Sequence, residues 1–238
     1  MILLGTLVNA AAIVVGSLLG CLLTRIPESI RKTVMQGIGL AVIVLGIKMS
    51  FGSDNFLLVI ISIVLGSIIG ELIGIEKGLN RLGHWLERKI GKGKEGGIAT
   101  GFVTTTLVYC IGAMGVLGAM DSGLRDNHDI LYTKALIDGF SAIIFTSTLG
   151  IGVLFSAIPV FVYQGLIALL STQISSIVSQ TMLNAMLVEL TAVGGLMIIA
   201  IGINVLEIKK INVANMLPAL LIAALGVPFM EWFSKLFS

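Results

Sequence analysis

Three polar side chains stand inside otherwise apolar stretches of the sequence: Asn9, Asp138 and Glu189. A polar group in hydrocarbon is costly when it has no partner, so a carboxylate within a membrane helix indicates a site for an ion or a solute. Asp138 and Glu189 each lie about 6–10 Å inside the predicted outer end of their helices, at 1.5 Å per residue. Together with Asn9 and the more superficial Glu231, they predict an acidic vestibule that favours cations or protons.

Three other charged residues leave alternatives open. Glu71 and Glu231 lie late in their helices near opposite faces of the membrane, so a side chain that merely reaches the headgroups explains each as well as a solute site does. Lys134 stands four residues before Asp138 on the same helical face. A simple ion pair at the end of the helix therefore explains Asp138 as well as an ion site does.

Hydroxyl groups and glycines are concentrated in residues 101–115. Small residues let helices approach closely and hydroxyls bond across the contact, so composition alone favours a packing role. A path for a solute is the alternative, and residues 146–152 have the same character. Pro159 is predicted to break the helix nearby and free carbonyl groups. The candidates to line the path are Thr104, Thr105, Thr106 and Gln164.

Neither a cofactor nor a metal site is expected. The histidines, His84 and His128, are far apart in the sequence, and no HExxH, Walker A or GxSxG pattern is present. Cys21 and Cys110 lie in apolar stretches, where thiols behave as small buried hydrophobes. The sequence therefore predicts no enzyme.

The composition requires most of the chain to lie in a membrane. Of 238 residues, 56% are hydrophobic and 12% are charged, whereas soluble domains average about 25% charged residues. Mean hydropathy is +1.06. A water-soluble enzyme is excluded, and a net charge of +2 without a basic tract gives no basis for binding nucleic acid.

Apolar segments of about 20 residues, the length that crosses the hydrocarbon core, occur throughout the chain. We place eight spans near 2–24, 33–51, 56–75, 98–120, 131–156, 157–178, 182–206 and 214–235. The fold class is therefore all-α, a polytopic transmembrane bundle. The fourth span is the least regular, because Gly112, Gly115 and Gly118 precede Asp121, and a re-entrant loop is the alternative there.

Lysine and arginine are concentrated in loops of one side. The richest loop, 76–97, is predicted to be cytoplasmic together with the first and seventh loops, which places both termini outside. Within it, residues 76–90 combine an apolar stripe with charged positions and predict an amphipathic helix in the inner interface. The basic residues of this loop are Lys77, Arg81, Arg88, Lys89, Lys92 and Lys94.

The sequence also predicts an inverted repeat. Residues 36–48 match 192–204 with the glycine spacing kept. Segments five spans apart enter the membrane from opposite sides, an arrangement found in many secondary transporters; chance similarity between apolar segments is the alternative. Further matched pairs are Asn55 with Asn215, Leu57 with Leu217, Leu65 with Leu225, Gly66 with Gly226 and Glu71 with Glu231. We predict one transmembrane domain, 1–238, with arms over about 1–75 and 157–238, the interfacial helix over 76–90 and central spans over 98–156.

Several short segments carry a resemblance to a known family: 5–10, 70–71 with 74–76, 104–118, 138–140 with 148–153, 163–165, and 194–195 with Asn215 and Pro218. Together they resemble, over essentially the whole chain, the bacterial integral membrane proteins of the domain of unknown function family 554. The resemblance implies a helical inner-membrane protein of about eight spans that acts in transport, without a substrate or mechanism. It marks Asn9, Glu71, Asp138 and Gln164 as family-motif positions without assigned roles.

We therefore expect a small secondary transporter that moves a cation, or a small solute coupled to a cation or proton, across the bacterial cytoplasmic membrane. Asn9, Asp138 and Glu189 are the predicted binding residues. An ion channel is one alternative, and a scaffold or sensor that acts through the interfacial helix is another. The expected partners are the lipid bilayer, the transported species and a second copy of the chain in a homodimer.

Overall fold

Helices form all the regular secondary structure in the part of the chain that the computed structural model describes, residues 1–23, 27–90 and 97–237. The α-helices are α1 (Leu4–Leu22), α2 (Glu28–Ser50), α3 (Phe56–Ile73), α4 (Ile75–Ile90), α5 (Gly97–Cys110), α6 (Ala113–Arg125), α7 (Asp129–Leu149), α8 (Ala157–Ile177), α9 (Gln180–Val205) and α10 (Pro218–Phe237). Short 3-10 helices span Ile151–Ser156 and Val213–Met216. The predicted all-helical fold class is confirmed.

The chain divides into two compact units. Unit 1 comprises Met1–Met35 and Gly78–Ile174, and unit 2 comprises Gln36–Lys77 and Ser175–Ser238. Unit 1 therefore contains α1, α5, α6, α7 and most of α4 and α8, whereas unit 2 contains α3, α9, α10 and most of α2. Each unit takes helices from both of the arms predicted from the sequence.

Among the described residues, seven helices are long and apolar enough to cross a membrane, or eight if α5 and α6 form one span bent by 63°. The contacts that α5 and α6 make along α7 bear on which of these two counts applies. Gly101 of α5 packs on Leu149 at the end of α7, and Gly118 of α6 packs on Leu131 near its start. The bent pair thus runs antiparallel along the whole of α7, as a broken span does and a re-entrant loop does not. The contacts within unit 1 therefore favour eight spans, the number predicted from the sequence.

Two glycines mark the breaks in unit 1. Gly112 has a φ of 134° between α5 and α6, and Gly150 has a φ of 86° after α7, a region that L side chains rarely adopt. The fifth span thus ends at Leu149 rather than near residue 156. The expectation that Pro159 breaks a helix is wrong, because Pro159 lies in the first turn of α8, where a missing N–H leaves no bond unmade.

Close contact between α1 and α7 forms the centre of unit 1. A Cβ atom added at Gly16 would collide with the backbone carbonyl of Gly139, and one added at Gly20 would lie 2.5 Å from the carbonyl oxygen of Ile143. Because these contacts advance in the same direction along both helices, α1 and α7 are parallel. Glycine permits this approach, as in other membrane helix pairs.

In unit 2, α2 and α9 pack antiparallel through four glycines. A Cβ at Gly39 would lie 3.3 Å from the carbonyl oxygen of Gly202, and one at Gly46 would lie 2.6 Å from that of Gly195. The repeat predicted from the sequence pairs Gly39 with Gly195 and Gly46 with Gly202. If the two copies exchange places, the contact of Gly39 with Gly202 therefore becomes the contact of Gly195 with Gly46. This reciprocity is what a two-fold inverted repeat requires; the repeat itself stays a prediction.

Helix α4 covers the segment for which an amphipathic helix is predicted. Gly83 packs on Ala99 of α5, while Leu82 and Trp85 are exposed. Exposed apolar side chains on a helix rich in charge suit a position in the membrane interface. The position of α4 at the inner interface and the outside location of both termini stay predictions.

Candidate functional site

Four polar side chains from three helices meet in the interior of unit 1. Asn9 of α1 and Gln164 of α8 are 0% exposed, and Asp138 and Lys134 of α7 are 4% and 7% exposed. We call these four residues the unit-1 cluster. Polar and ionisable residues inside membrane helices are rare and usually face the interior of the bundle, as these four buried residues do.

Asn9 links the cluster across three helices. Its Nδ2 donates to Asp138 Oδ2 at 3.1 Å and to Gln164 Oε1 at 3.2 Å. Lys134 Nζ donates to the same Asp138 oxygen and lies 5.9 Å from the centroid of the Tyr109 ring. Of the alternatives for Asp138, an ion pair with Lys134 is therefore present, and it is buried rather than exposed at a helix end.

Two atoms of the unit-1 cluster have no hydrogen-bond partner among the described residues: the acceptor Asn9 Oδ1 and the donor Gln164 Nε2. A buried polar atom that is left unsatisfied costs about 1–3 kcal/mol. A ligand that donates to the first atom and accepts from the second would recover that cost. Four hydroxyl groups of unit 1 are also buried without a hydrogen-bond partner among the described residues: those of Thr6, Ser17, Thr106 and Thr146.

The broken span presents the N-terminus of α6 beside the unit-1 cluster. No described side chain caps this end, and nothing lies within 4 Å of the Cβ position of Gly112. A Cβ at Gly115, the third residue of α6, would lie 3.6 Å from Lys134 Cε and 3.7 Å from Gln164 Nε2. The first N–H groups of an α-helix have no intrahelical partner. The cluster therefore lies within reach of a helix end that carries partial positive charge.

The hydroxyl segment of α5 has mixed roles. The hydroxyl of Thr105 donates to the carbonyl of Gly101 in the same helix at 2.7 Å, rather than across a contact between helices. Thr106 is buried and Thr104 is half-buried. Tyr109, which the sequence did not single out, accepts a bond from Ser141 at 3.3 Å and carries Lys134 over its ring. A lining role for the three threonines stays a prediction.

Glu189 belongs to unit 2, where it has its own partners. It is buried on α9, and both of its carboxylate oxygens lie 2.8 Å from Ser53 Oγ. With Asp54 and Glu231 it lines a pocket of about 520 Å³. Within the described ranges no group of three His, Cys, Asp or Glu side chains is placed to hold a metal ion. The residues of the predicted vestibule are thus distributed over two units, and a common site for them stays a prediction.

Glu71 also has partners within unit 2. It accepts a hydrogen bond from Asn215 Nδ2, and Asn215 Oδ1 accepts the N–H of Glu76 at 2.7 Å. Glu76 in turn accepts from the N–H of Ala214 at 3.0 Å. These bonds join the end of α3 to the segment before α10, so Glu71 takes part in a structural connection. Whether its exposed side chain reaches the headgroups stays a prediction.

The chain is similar over nearly its whole length to proteins described only as membrane or uncharacterized proteins. Residues 4–227 match the family described as protein of unknown function DUF554. The chain is 31% identical over 223 residues to the uncharacterized membrane protein YdfK of Bacillus subtilis, covering 92% of this chain and 93% of that protein. It is 32% identical over 237 residues to the uncharacterized protein YqgA of Escherichia coli, covering 97% and 99%. No solved structure matches the chain.

Proposed function

Since the chain belongs to the DUF554 family, which includes membrane proteins of unknown function, we propose from the unit-1 cluster that the protein is a secondary transporter. It moves a small polar solute together with a proton. The observation that carries this proposal is the buried Lys134–Asp138 pair with an unpartnered acceptor and donor beside it. The proposal assigns no catalytic reaction to the chain.

Stability alone gives a poor account of the unit-1 cluster. Burying two charges costs so much that a well-packed apolar pair often stabilises a protein as well or better. Unsatisfied atoms add to that cost. Charged groups inside membrane helices typically mark the path of an ion or solute, and interrupted helices typically form the binding sites of transporters. The cluster and the break at Gly112 together support a transport site.

The pairing of Asp138 favours coupled transport over a site for a bare cation. A cation would have to compete with Lys134 for the same carboxylate, whereas a proton on Asp138 would weaken its attraction for Lys134 and release the ammonium group toward a solute. The other titratable groups that face Asp138 are Tyr109 and Cys110 of α5, and α1 and α8 contribute the neutral amides of the cluster.

The proposal predicts solute-dependent proton entry. Purified protein is placed in liposomes that contain a pH-sensitive dye, and carboxylates, amines, amides and sugars are added outside in turn. We expect one class to acidify the interior faster than in protein-free liposomes. In Asp138→Asn the initial rate should fall at least about tenfold, which corresponds to ~1.4 kcal/mol, because the protonatable group is gone.

Asp129→Asn is the matched control, since it makes the same chemical change at an exposed position of the same helix. It should transport at the wild-type rate. Acidification by none of the classes, or an unchanged rate in Asp138→Asn, would overturn the proposal. Proton current without any solute would instead indicate a channel and would equally contradict coupled transport.

A further inference from the structure

Three kinds of hydrogen-bond donor belong to residues that lie close together in unit 1. They are the first-turn N–H groups of α6, the ammonium group of Lys134 and the amide of Gln164. The Cβ position of Gly115 lies 3.6 Å from Lys134 Cε and 3.7 Å from Gln164 Nε2, and Gly115 belongs to the first turn of α6. The closeness of these residues makes this end of the cluster rich in donors.

The N-terminus of a helix suits an anion because its N–H groups are unpaired and its dipole is positive there. Helix α6 has 13 residues, and no described side chain caps it. Independently of the helix, Gln164 is fully buried and its Nε2 is unpartnered among the described residues. A donor left without an acceptor beside a positive helix end points to a ligand that supplies the acceptor.

We propose that the transported solute carries a compact oxyanion group, which binds at the N-terminus of α6 between Gln164 and Lys134. This inference rests on the transport function proposed above and names the chemical class of its substrate. The carboxylate of a small organic acid has this chemistry, and so has an inorganic oxyanion. The free acceptor, Asn9 Oδ1, is left for a donor elsewhere on the solute or for a water molecule.

Charge balance supports the pairing of an anion with a proton. In the empty site the ammonium of Lys134 and the carboxylate of Asp138 carry opposite charges and sum to zero. When Asp138 takes up a proton and Lys134 turns to the anion, one positive and one negative charge have been added and the sum is again zero. Neither the empty nor the loaded site therefore buries a net charge, which would be costly in a membrane.

Gln164→Leu tests the donor directly. The substitution removes the unpartnered Nε2 together with the Oε1 that accepts from Asn9. Because the recovered cost of the buried donor offsets the lost bond, we expect the folded state to be about as stable as the wild type. Asn9 Nδ2 keeps its bond to Asp138. Gln173→Leu is the matched control, because it makes the same change at an exposed position of the same helix. Should Gln164→Leu not fold, Gln164→Glu keeps the acceptor for Asn9 and replaces the donor by a negative charge.

The measurement is the Tm of purified protein in detergent with sodium acetate, lactate, nitrate or sulfate, compared with sodium chloride at equal ionic strength. A ligand that binds the folded state raises Tm, by on the order of 2–4 °C at about four times Kd. We expect this rise with wild type and Gln173→Leu, and its loss with Gln164→Leu and Gln164→Glu. A response to acetate or lactate identifies an organic acid, and a response to nitrate or sulfate an inorganic oxyanion.

Two results would overturn the anion site: a flat response to all four salts, or an equal rise in the Gln164 variants. Failure of the transport function looks different. If the anions bind but drive no proton entry in liposomes, the anion site stands and transport is wrong. If a sugar or amine drives proton entry through Asp138 while no anion binds, transport stands and the anion site is wrong.

Discussion

Gly16→Leu is expected to leave no correctly folded protein. Even a Cβ atom at this position would collide with the backbone carbonyl of Gly139 on α7, and a backbone group cannot rotate away as a side chain can. Overpacking by a methylene group typically costs about 1–3 kcal/mol; four extra carbons against a rigid backbone exceed that. Fluorescence-detected size-exclusion chromatography should show the loss of the monodisperse peak.

The milder Gly16→Ala makes the prediction quantitative. We expect a clear decrease in Tm, because α1 and α7 must separate to admit the methyl group. Gly37→Ala is the matched control: nothing lies within 4 Å of its Cβ position, and alanine favours a helix over glycine by about 1 kcal/mol. That variant should melt at or above the wild-type temperature. Equal Tm values for the two alanine variants would contradict the packing of α1 on α7.

Among the charged residues that the structure describes, Lys134→Met is expected to be the most destabilising single change. It leaves the carboxylate of Asp138 buried without its cation, and breaking a buried pair in this way costs about 3–5 kcal/mol. The double variant Lys134→Met/Asp138→Leu removes both charges and should recover most of that stability. Titration with denaturing detergent gives the free energy of unfolding of the wild type, Lys134→Met, Asp138→Leu and the double variant. These four proteins form one double-mutant cycle.

The same substitution at an exposed lysine, Lys48→Met, controls for the loss of a positive charge and should change stability little. The double variant should also be folded and inactive, which separates the structural contribution of the pair from its role in transport. Additive effects of Lys134→Met and Asp138→Leu would show that the two side chains do not interact in the folded protein.

Hydropathy predicted the helices well because each span must satisfy its own backbone within the bilayer. The end of α7 was misplaced because residues 150–156 are as apolar as the helix before them, so nothing in the composition marks the turn at Gly150. The break at Gly112 was not distinguished from close packing for a similar reason. A glycine that adopts a positive φ and a glycine that admits a neighbouring helix have the same side chain.

The candidate site was predicted in part. Asn9, Asp138 and Gln164 were recognisable because amide and carboxylate groups are rare in apolar segments, and Lys134 because its spacing places it on the same helical face as Asp138. The assignment of Glu189 to unit 2 and of the other residues to unit 1 depends on which helices pack together, and a list of apolar spans does not contain that information. The donor-rich end of α6 depends on a bend, which is equally absent from such a list.

The bend at Gly112 also bears on proton leakage, which a membrane protein must prevent. Water that reaches an interrupted helix can form a wire along which protons leak and dissipate the membrane potential. The partial positive charge at the N-terminus of α6 raises the electrostatic energy of a hydronium ion at this point, as the positive ends of half-helices do in water channels, while the charge of Lys134 is balanced by Asp138. A bound anion would cancel that barrier. Under the proposed transport function, a proton would then cross in company with its anion and would be turned back when alone.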